Sequence, residues 1–155
     1  MIFLTHLLFA IAAVQYLGRF FGIPTSGLEG VAAIAIAAAF SSLPDADLVK
    51  SKSGKLLQPF SLMFSFLFRH RGFLHGLIFA AVVYFTVRYL AGEWSAAAAA
   101  LGFLSHLALD ALTKEGIMPF SPLLKWKIRG PLKTGGLMEK LILTAIAALI
   151  LLKVA

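Results

Sequence analysis

Five long apolar runs divide this chain, roughly Ile2 to Gly18, Leu28 to Leu43, Phe73 to Ala91, Trp94 to Leu112 and Leu137 to Val154. Each approaches the ~17 to 25 residues that a helix needs to cross a bilayer, the second being the shortest. At 155 residues, 60% hydrophobic and 14% charged, the chain carries more apolar surface than a water-soluble core of that size buries. Lipid is therefore its solvent, and the sequence predicts an all-α, polytopic membrane helix bundle forming a single integral membrane domain over residues 1–155. Alanine-rich stretches such as Ala32 to Ala39 and Ala96 to Ala100 suit close helix packing in a membrane. The first run has an alanine-rich end like a signal peptide, but it lacks a basic leading segment and carries His6 inside the apolar stretch. It is expected to be retained as a helix.

Charge sets the expected topology. The net charge of +7 is concentrated between the runs: Lys50, Lys52, Lys55, Arg69 and Arg71 in one loop, and Lys114, Lys125, Lys127, Arg129 and Lys133 in another. With five spans both loops fall on one face, which the positive-inside rule makes cytoplasmic, with the amino terminus on the same side. No groove-like pattern of basic and aromatic residues accompanies the charge, so nucleic acid is not an expected partner. The stretch Leu56 to Phe68 is apolar but short and interrupted by Pro59. It is expected to lie in the interface or re-enter the membrane rather than cross it.

Against this apolar background, all four histidines and all three aspartates sit near the ends of the runs, as Thr5-His6, Leu43-Pro44-Asp45-Ala46-Asp47, His70-Arg71-Gly72-Phe73-Leu74-His75 and His106-Leu107-Ala108-Leu109-Asp110. Ionisable groups near lipid are costly unless they share a partner. Five-span topology brings all of these groups to the cytoplasmic side. At ~1.5 Å per residue, His6 and His106 would lie on the order of 8 to 10 Å below the inner helix ends. His106 and Asp110 are spaced i, i+4 and project from one helical face. Pro44 should end the second helix, and an extended chain beyond it would aim Asp45 and Asp47 the same way. Two convergent carboxylates repel unless a cation lies between them. Gly72 would allow a tight turn that places His75 in the first turn of the third helix.

The absence of cysteine leaves nitrogen and oxygen donors only. His6, Asp45, Asp47, His70, His75, His106 and Asp110 exceed the needs of one tetrahedral ion and match two adjacent divalent ions, zinc, manganese or magnesium. Such a pair would activate water and neutralise a phosphoester. Arg71 is the candidate to hold a phosphate oxygen, with Arg69 and Lys114 behind it, and Asp45 and His75 are the other catalytic candidates. Thr5, Ser42, Ser105 and Thr113 stand next to the ligands, ready either to support them or to cap helices.

These strings, with "LPDAD" at 43–47, "HRGFLH" at 70–75 and "GFLSHLALDALTKEG" at 102–116 followed by Pro119, closely resemble the YdjM-like family of membrane-bound, predicted metal-dependent hydrolases. The resemblance covers essentially the whole chain. It implies a helical inner-membrane protein with the seven His and Asp positions as motif residues; where the family often has serine after the second histidine of "HRGFLH", this chain has Gly76. The expected activity is metal-dependent hydrolysis of an anionic, amphiphilic lipid or isoprenoid phosphoester at the cytoplasmic leaflet. Two alternatives use the same residues: a metal-ion transporter or metal sensor without hydrolytic activity, and a structural membrane protein stabilised by a metal.

Overall fold

The computed structural model describes residues 1–47 and 73–154. His70, Arg69, Arg71 and the Leu56 to Phe68 stretch lie outside them, as does the side chain of Asp47. Among the described residues there are five α-helices: α1 Phe3–Leu17, α2 Gly27–Ser41, α3 Leu77–Ala91, α4 Glu93–Ala111 and α5 Leu137–Val154. Short 3₁₀ turns at Gly18–Phe21, Pro44–Asp47 and Phe73–His75 connect or flank them. The expected all-α fold is what forms.

Length separates the helices. Only Phe3–Phe21, which is α1 continued by its 3₁₀ turn, is both long and apolar enough to count as a span among the described residues. The apolar helices α2 and α3 have 15 residues each, about 22 Å of rise against a hydrocarbon core of about 30 Å.

The packing is small inside and large outside. Ala10, Ala33, Ala37, Ala96, Ala98 and Ala99 are completely buried, whereas Phe20, Leu28, Tyr89 and Leu152 are among the most exposed side chains. Lipid tails are as apolar as leucine, so association is decided by close backbone approach and polar contacts rather than by removing apolar surface from water. Gly102 is where α4 meets α2 most closely: a Cβ there would fall 2.1 Å from the Ala37 carbonyl oxygen. Around this crossing Ala10, Val14, Ala33, Ala37 and Ala98 form one cluster, and Ala80, Val83, Ala99, Phe103 and Leu107 form another.

Contacts fix the helix directions. Ala37 touches Gly102, and one turn further along both helices the Ser41 carbonyl oxygen lies 2.7 Å from His106 Nδ1. So α2 and α4 run the same way. Thr5 bonds Glu139 and Tyr16 bonds the Leu149 carbonyl, which makes α1 and α5 parallel. His6 lies beside Asp110, and His75 beside Asp110 while Tyr84 bonds Glu93, so α1 and α3 oppose α4. The start of α1, the end of α2, the start of α3, the end of α4 and the start of α5 therefore share one end of the bundle.

Candidate metal centre

Each ligand-type side chain at that end is delivered by a local chain feature. The last turn of α2 leaves carbonyls without intrahelical partners. The hydroxyls of Ser41 and Ser42 fold back on the Ala38 carbonyl oxygen at 2.8 and 3.3 Å. The Ser41 carbonyl faces His106 Nδ1 instead. A carbonyl only accepts, so Nδ1 carries a proton and Nε2 is the ring nitrogen turned to the cluster, where it could serve as a ligand.

Pro44 lacks the amide hydrogen that would continue α2. The chain beyond it is a 3₁₀ turn over Pro44–Asp47 and not the extended strand expected from the sequence. The period-two alternation expected there belongs to extended chain and does not apply to a 3₁₀ turn. Asp45 reaches the cluster. His75 closes the 3₁₀ turn Phe73–His75 just ahead of α3, rather than lying in the helix's first turn. The amide of Leu77, the first residue of α3, donates to the Pro119 carbonyl at 2.7 Å, so the segment after α4 supports the entry to α3. Within that segment Gly116 has φ of 64°, and a Cβ there would meet the Ile128 carbonyl oxygen at 2.1 Å. Only glycine fits both conditions.

The resulting cluster holds His6, Asp45, His75, His106 and Asp110. Asp45 Oδ1 lies 3.9 Å from His75 Nε2 and 3.8 Å from His106 Nε2. Asp110 Oδ2 lies 4.0 Å from His75 Nε2 and 3.7 Å from His106 Nε2. These separations exceed hydrogen-bond length. Two donors on one tetrahedral ion at ~2.1 Å stand roughly 3.4 Å apart, so each of these four pairs is a few tenths of an ångström wider than such an ion would set. His6 stacks on His106 with ring centroids 3.8 Å apart, and its Nε2 is 3.3 Å from Asp110 Oδ1. The α-amino nitrogen of Met1 meets the same oxygen at 2.6 Å.

Burial sharpens the chemistry. His6, His75, His106 and Asp110 are between 0 and 2% exposed, whereas the Asp45 side chain is 16% exposed. Both ring nitrogens of His6 and Nε2 of His106 make no hydrogen bond among the described residues. A buried donor or acceptor left so costs about 1 to 3 kcal/mol. The residues therefore fit a divalent cation. Two overlapping sets meet the spacing for one: His6, Asp45 and His106, and His75, His106 and Asp110. They share His106, whose Nε2 serves one ion, so the sets describe one centre with His106 at its hub.

The serines and threonines next to the ligands turn out to have other tasks. Ser105 bonds the Gly102 carbonyl at 2.7 Å inside α4, while Thr113 bonds the Asp110 carbonyl at 2.7 Å and Ser42 bonds Ala38 at their helix ends. Lys114 is exposed, with its amide bonded to the Leu132 carbonyl. Glu139 is the residue that sequence reasoning missed. It is 1% exposed, and its Oε1 accepts from the Ile2 amide at 2.6 Å and the Thr5 hydroxyl at 3.0 Å, while Oε2 accepts from the Gly135 amide at 2.6 Å. Its signal was the presence of a carboxylate near the start of an otherwise apolar run.

An all-helical apolar bundle with a buried His and Asp cluster at one end is the class that fold and site define. The chain belongs to the YdjM inner membrane protein family, whose profile matches residues 1–154. It is 32% identical over 145 residues to a Bacillus subtilis (strain 168) protein called uncharacterized protein YvsG, covering 92% of this chain and 87% of that one. It is 34% identical over 113 residues to inner membrane protein YdjM of Escherichia coli (strain K12), covering 67% of this chain and 57% of the relative. The YdjM protein of Shigella flexneri matches to the same extent. No solved structure matches the chain.

Proposed function

We propose that this chain is a multi-pass inner-membrane hydrolase dependent on divalent metal, with its amino terminus and its site facing the cytoplasm. Its substrate is a phosphoester of an anionic lipid or isoprenoid amphiphile in the cytoplasmic leaflet. The observation that carries this reading is the convergence of Asp45 Oδ1, His75 Nε2, His106 Nε2 and Asp110 Oδ2 at 3.7 to 4.0 Å within an apolar bundle. Alternating helix directions and exposed Lys114, Lys125, Lys127, Arg129 and Lys133 near the site's end support five crossings with that end inside. Family membership supports the inner membrane.

Asp45, His75, His106 and Asp110 are the residues that would hold an ion, and His6 is the further ligand that a second ion would use. A divalent cation there supplies Lewis-acid polarisation of a phosphoryl oxygen and acidifies a water. Hydrolysis adds the water oxygen to phosphorus, breaks the phosphorus–oxygen ester bond and returns a proton to the leaving alkoxide. Asp45, the most exposed of the cluster, stands at its mouth and is the residue to take the proton of an incoming water. His75 orients against both carboxylates. Arg71 is assigned to a phosphate oxygen on its chemistry and its nearness to His75 in sequence. Beyond the site the bundle is filled by Ala10, Val14, Ala33, Ala37, Ala98 and Phe103, which favours a one-sided site over a permeation path.

The test is reconstituted protein and a panel of phospholipids and isoprenoid phosphates. Headgroup or phosphate release that requires divalent metal and is lost in His75→Ala supports hydrolysis. Release that survives both chelation and His75→Ala overturns it.

A further inference from the structure

The segment between α4 and α5 carries a surface that the metal centre does not use. Leu124-Lys125-Trp126-Lys127-Ile128-Arg129 alternates apolar and cationic residues. Its Ile128 end is held in an antiparallel bridge to Ile117, with both amide-to-carbonyl bonds at 2.9 Å. The apolar members are unusually open for their size: Leu123 is 77% exposed, Leu124 58% and Trp126 60%. Trp126 is braced by Phe120, whose ring stacks on it at 6.0 Å and 7°. Lys125, Lys127 and Arg129 are exposed as well.

A segment in which exposed Leu124 and Trp126 alternate with exposed Lys125, Lys127 and Arg129 matches the interface of a bilayer. There aromatic rings sit at headgroup level and cationic side chains reach lipid phosphates. Its position agrees, because the bonds from Leu77 to Pro119 and from Lys114 and Leu132 to their partners tie the segment to the helix ends around the site.

We propose that Leu123 to Arg129 is a binding surface for acidic phospholipid, with Leu124 and Trp126 entering the acyl boundary of the leaflet on the site's side and Lys125, Lys127 and Arg129 holding anionic headgroups. The surface needs the membrane setting and neither metal nor hydrolysis, so loss of activity in the panel above leaves it standing.

The chain has two tryptophans, so Trp94→Phe leaves Trp126 as the reporter. The difference between the unaltered protein and Trp126→Phe gives the same signal should Trp94→Phe fold poorly. In nanodiscs of phosphatidylcholine with phosphatidylglycerol, Trp126 should emit at blue-shifted wavelength. Lipids brominated near the headgroup end of the acyl chain should quench it more than lipids brominated deep. The triple variant Lys125→Gln, Lys127→Gln, Arg129→Gln, with helicity intact by circular dichroism, should retain several-fold less phosphatidylglycerol after detergent purification, and retention by the unaltered protein should fall with salt. Water-like emission, acrylamide quenching equal to free indole and no response to brominated lipid would overturn the assignment. So would equal retention of phosphatidylglycerol by the triple variant.

Discussion

His106 Nε2 and Asp110 Oδ2, one turn apart on α4, face each other at 3.7 Å across a buried space into which Asp45 and His75 also point. His106 Nε2 is aimed there because the other ring nitrogen is committed to the Ser41 carbonyl. An imidazole nitrogen set beside two carboxylates is the donor set a divalent cation takes.

His106→Ala and Asp110→Asn should each reduce bound metal in protein purified in detergent and desalted, by tenfold or more in affinity if both are ligands. Metal analysis checks this. Unchanged stoichiometry in both variants would count against ligation.

Metal should also stabilise the fold. An ion that binds only the native state adds RT ln(1 + [L]/Kd), about 2.7 kcal/mol at a hundredfold excess over Kd. Zinc or manganese should therefore raise the thermal unfolding temperature, and a chelator should lower it, in the unaltered protein but not in His106→Ala. A thermal-shift series in one detergent reads the difference.

Gly102 should be a packing determinant of the site although it carries no functional group. Its replacement by valine would force α2 and α4 apart at the Ala37 carbonyl, four residues ahead of the contact between Ser41 and His106. A loss of about 1 to 3 kcal/mol in stability is expected from overpacking, together with weaker metal binding. Unfolding in denaturant and metal titration of the same sample would measure both.

Glu139 holds the first turn of α1, and thus His6, against α5. Glu139→Leu would leave the buried Thr5 hydroxyl without its acceptor, at about 1 to 3 kcal/mol, and would remove the acceptor of the more exposed Ile2 and Gly135 amides. It should be markedly destabilised. Glu139→Gln keeps one accepting oxygen and should fall between the two. Equal unfolding temperatures for all three proteins would remove Glu139 from its assigned role.

The absence of cysteine makes topology directly measurable. Thr134→Cys, on the site's side, should react with a membrane-impermeant maleimide only from the cytoplasmic face. Ser26→Cys, at the start of α2 where the native serine makes no side-chain cap, should react only from the opposite face. Labelling of both from one side would rule out the alternating arrangement.

Much of this was legible in the sequence because apolar runs and i, i+4 spacing are local properties. The runs containing His6, His106 and Asp110 became helices, and His6, Asp45, His75 and His106 lie together at one end of the bundle. What periodicity does not carry is the path of the chain between helices. Pro44 stopped α2 as expected, but the following 3₁₀ turn replaced the extended chain. The Ser41 carbonyl could not be read as the partner of His106, since a backbone group is invisible in side-chain pattern. Of the two roles open to the neighbouring hydroxyls, Ser42 and Thr113 take the helix-end carbonyls of Ala38 and Asp110. Glu139 stands alone in an apolar run with no histidine or aspartate beside it, so only the fold shows its partners on Ile2, Thr5 and Gly135.

X-ray absorption spectroscopy of the zinc-loaded, desalted protein examines the convergence of these side chains around a cation. A first shell of nitrogen and oxygen at about 2.0 to 2.2 Å, with outer-shell scattering from at least two imidazoles that diminishes in His106→Ala, is the expected spectrum. A shell of oxygen alone without imidazole scattering, or no zinc retained, would show that the cluster at the end of this bundle is not a metal centre.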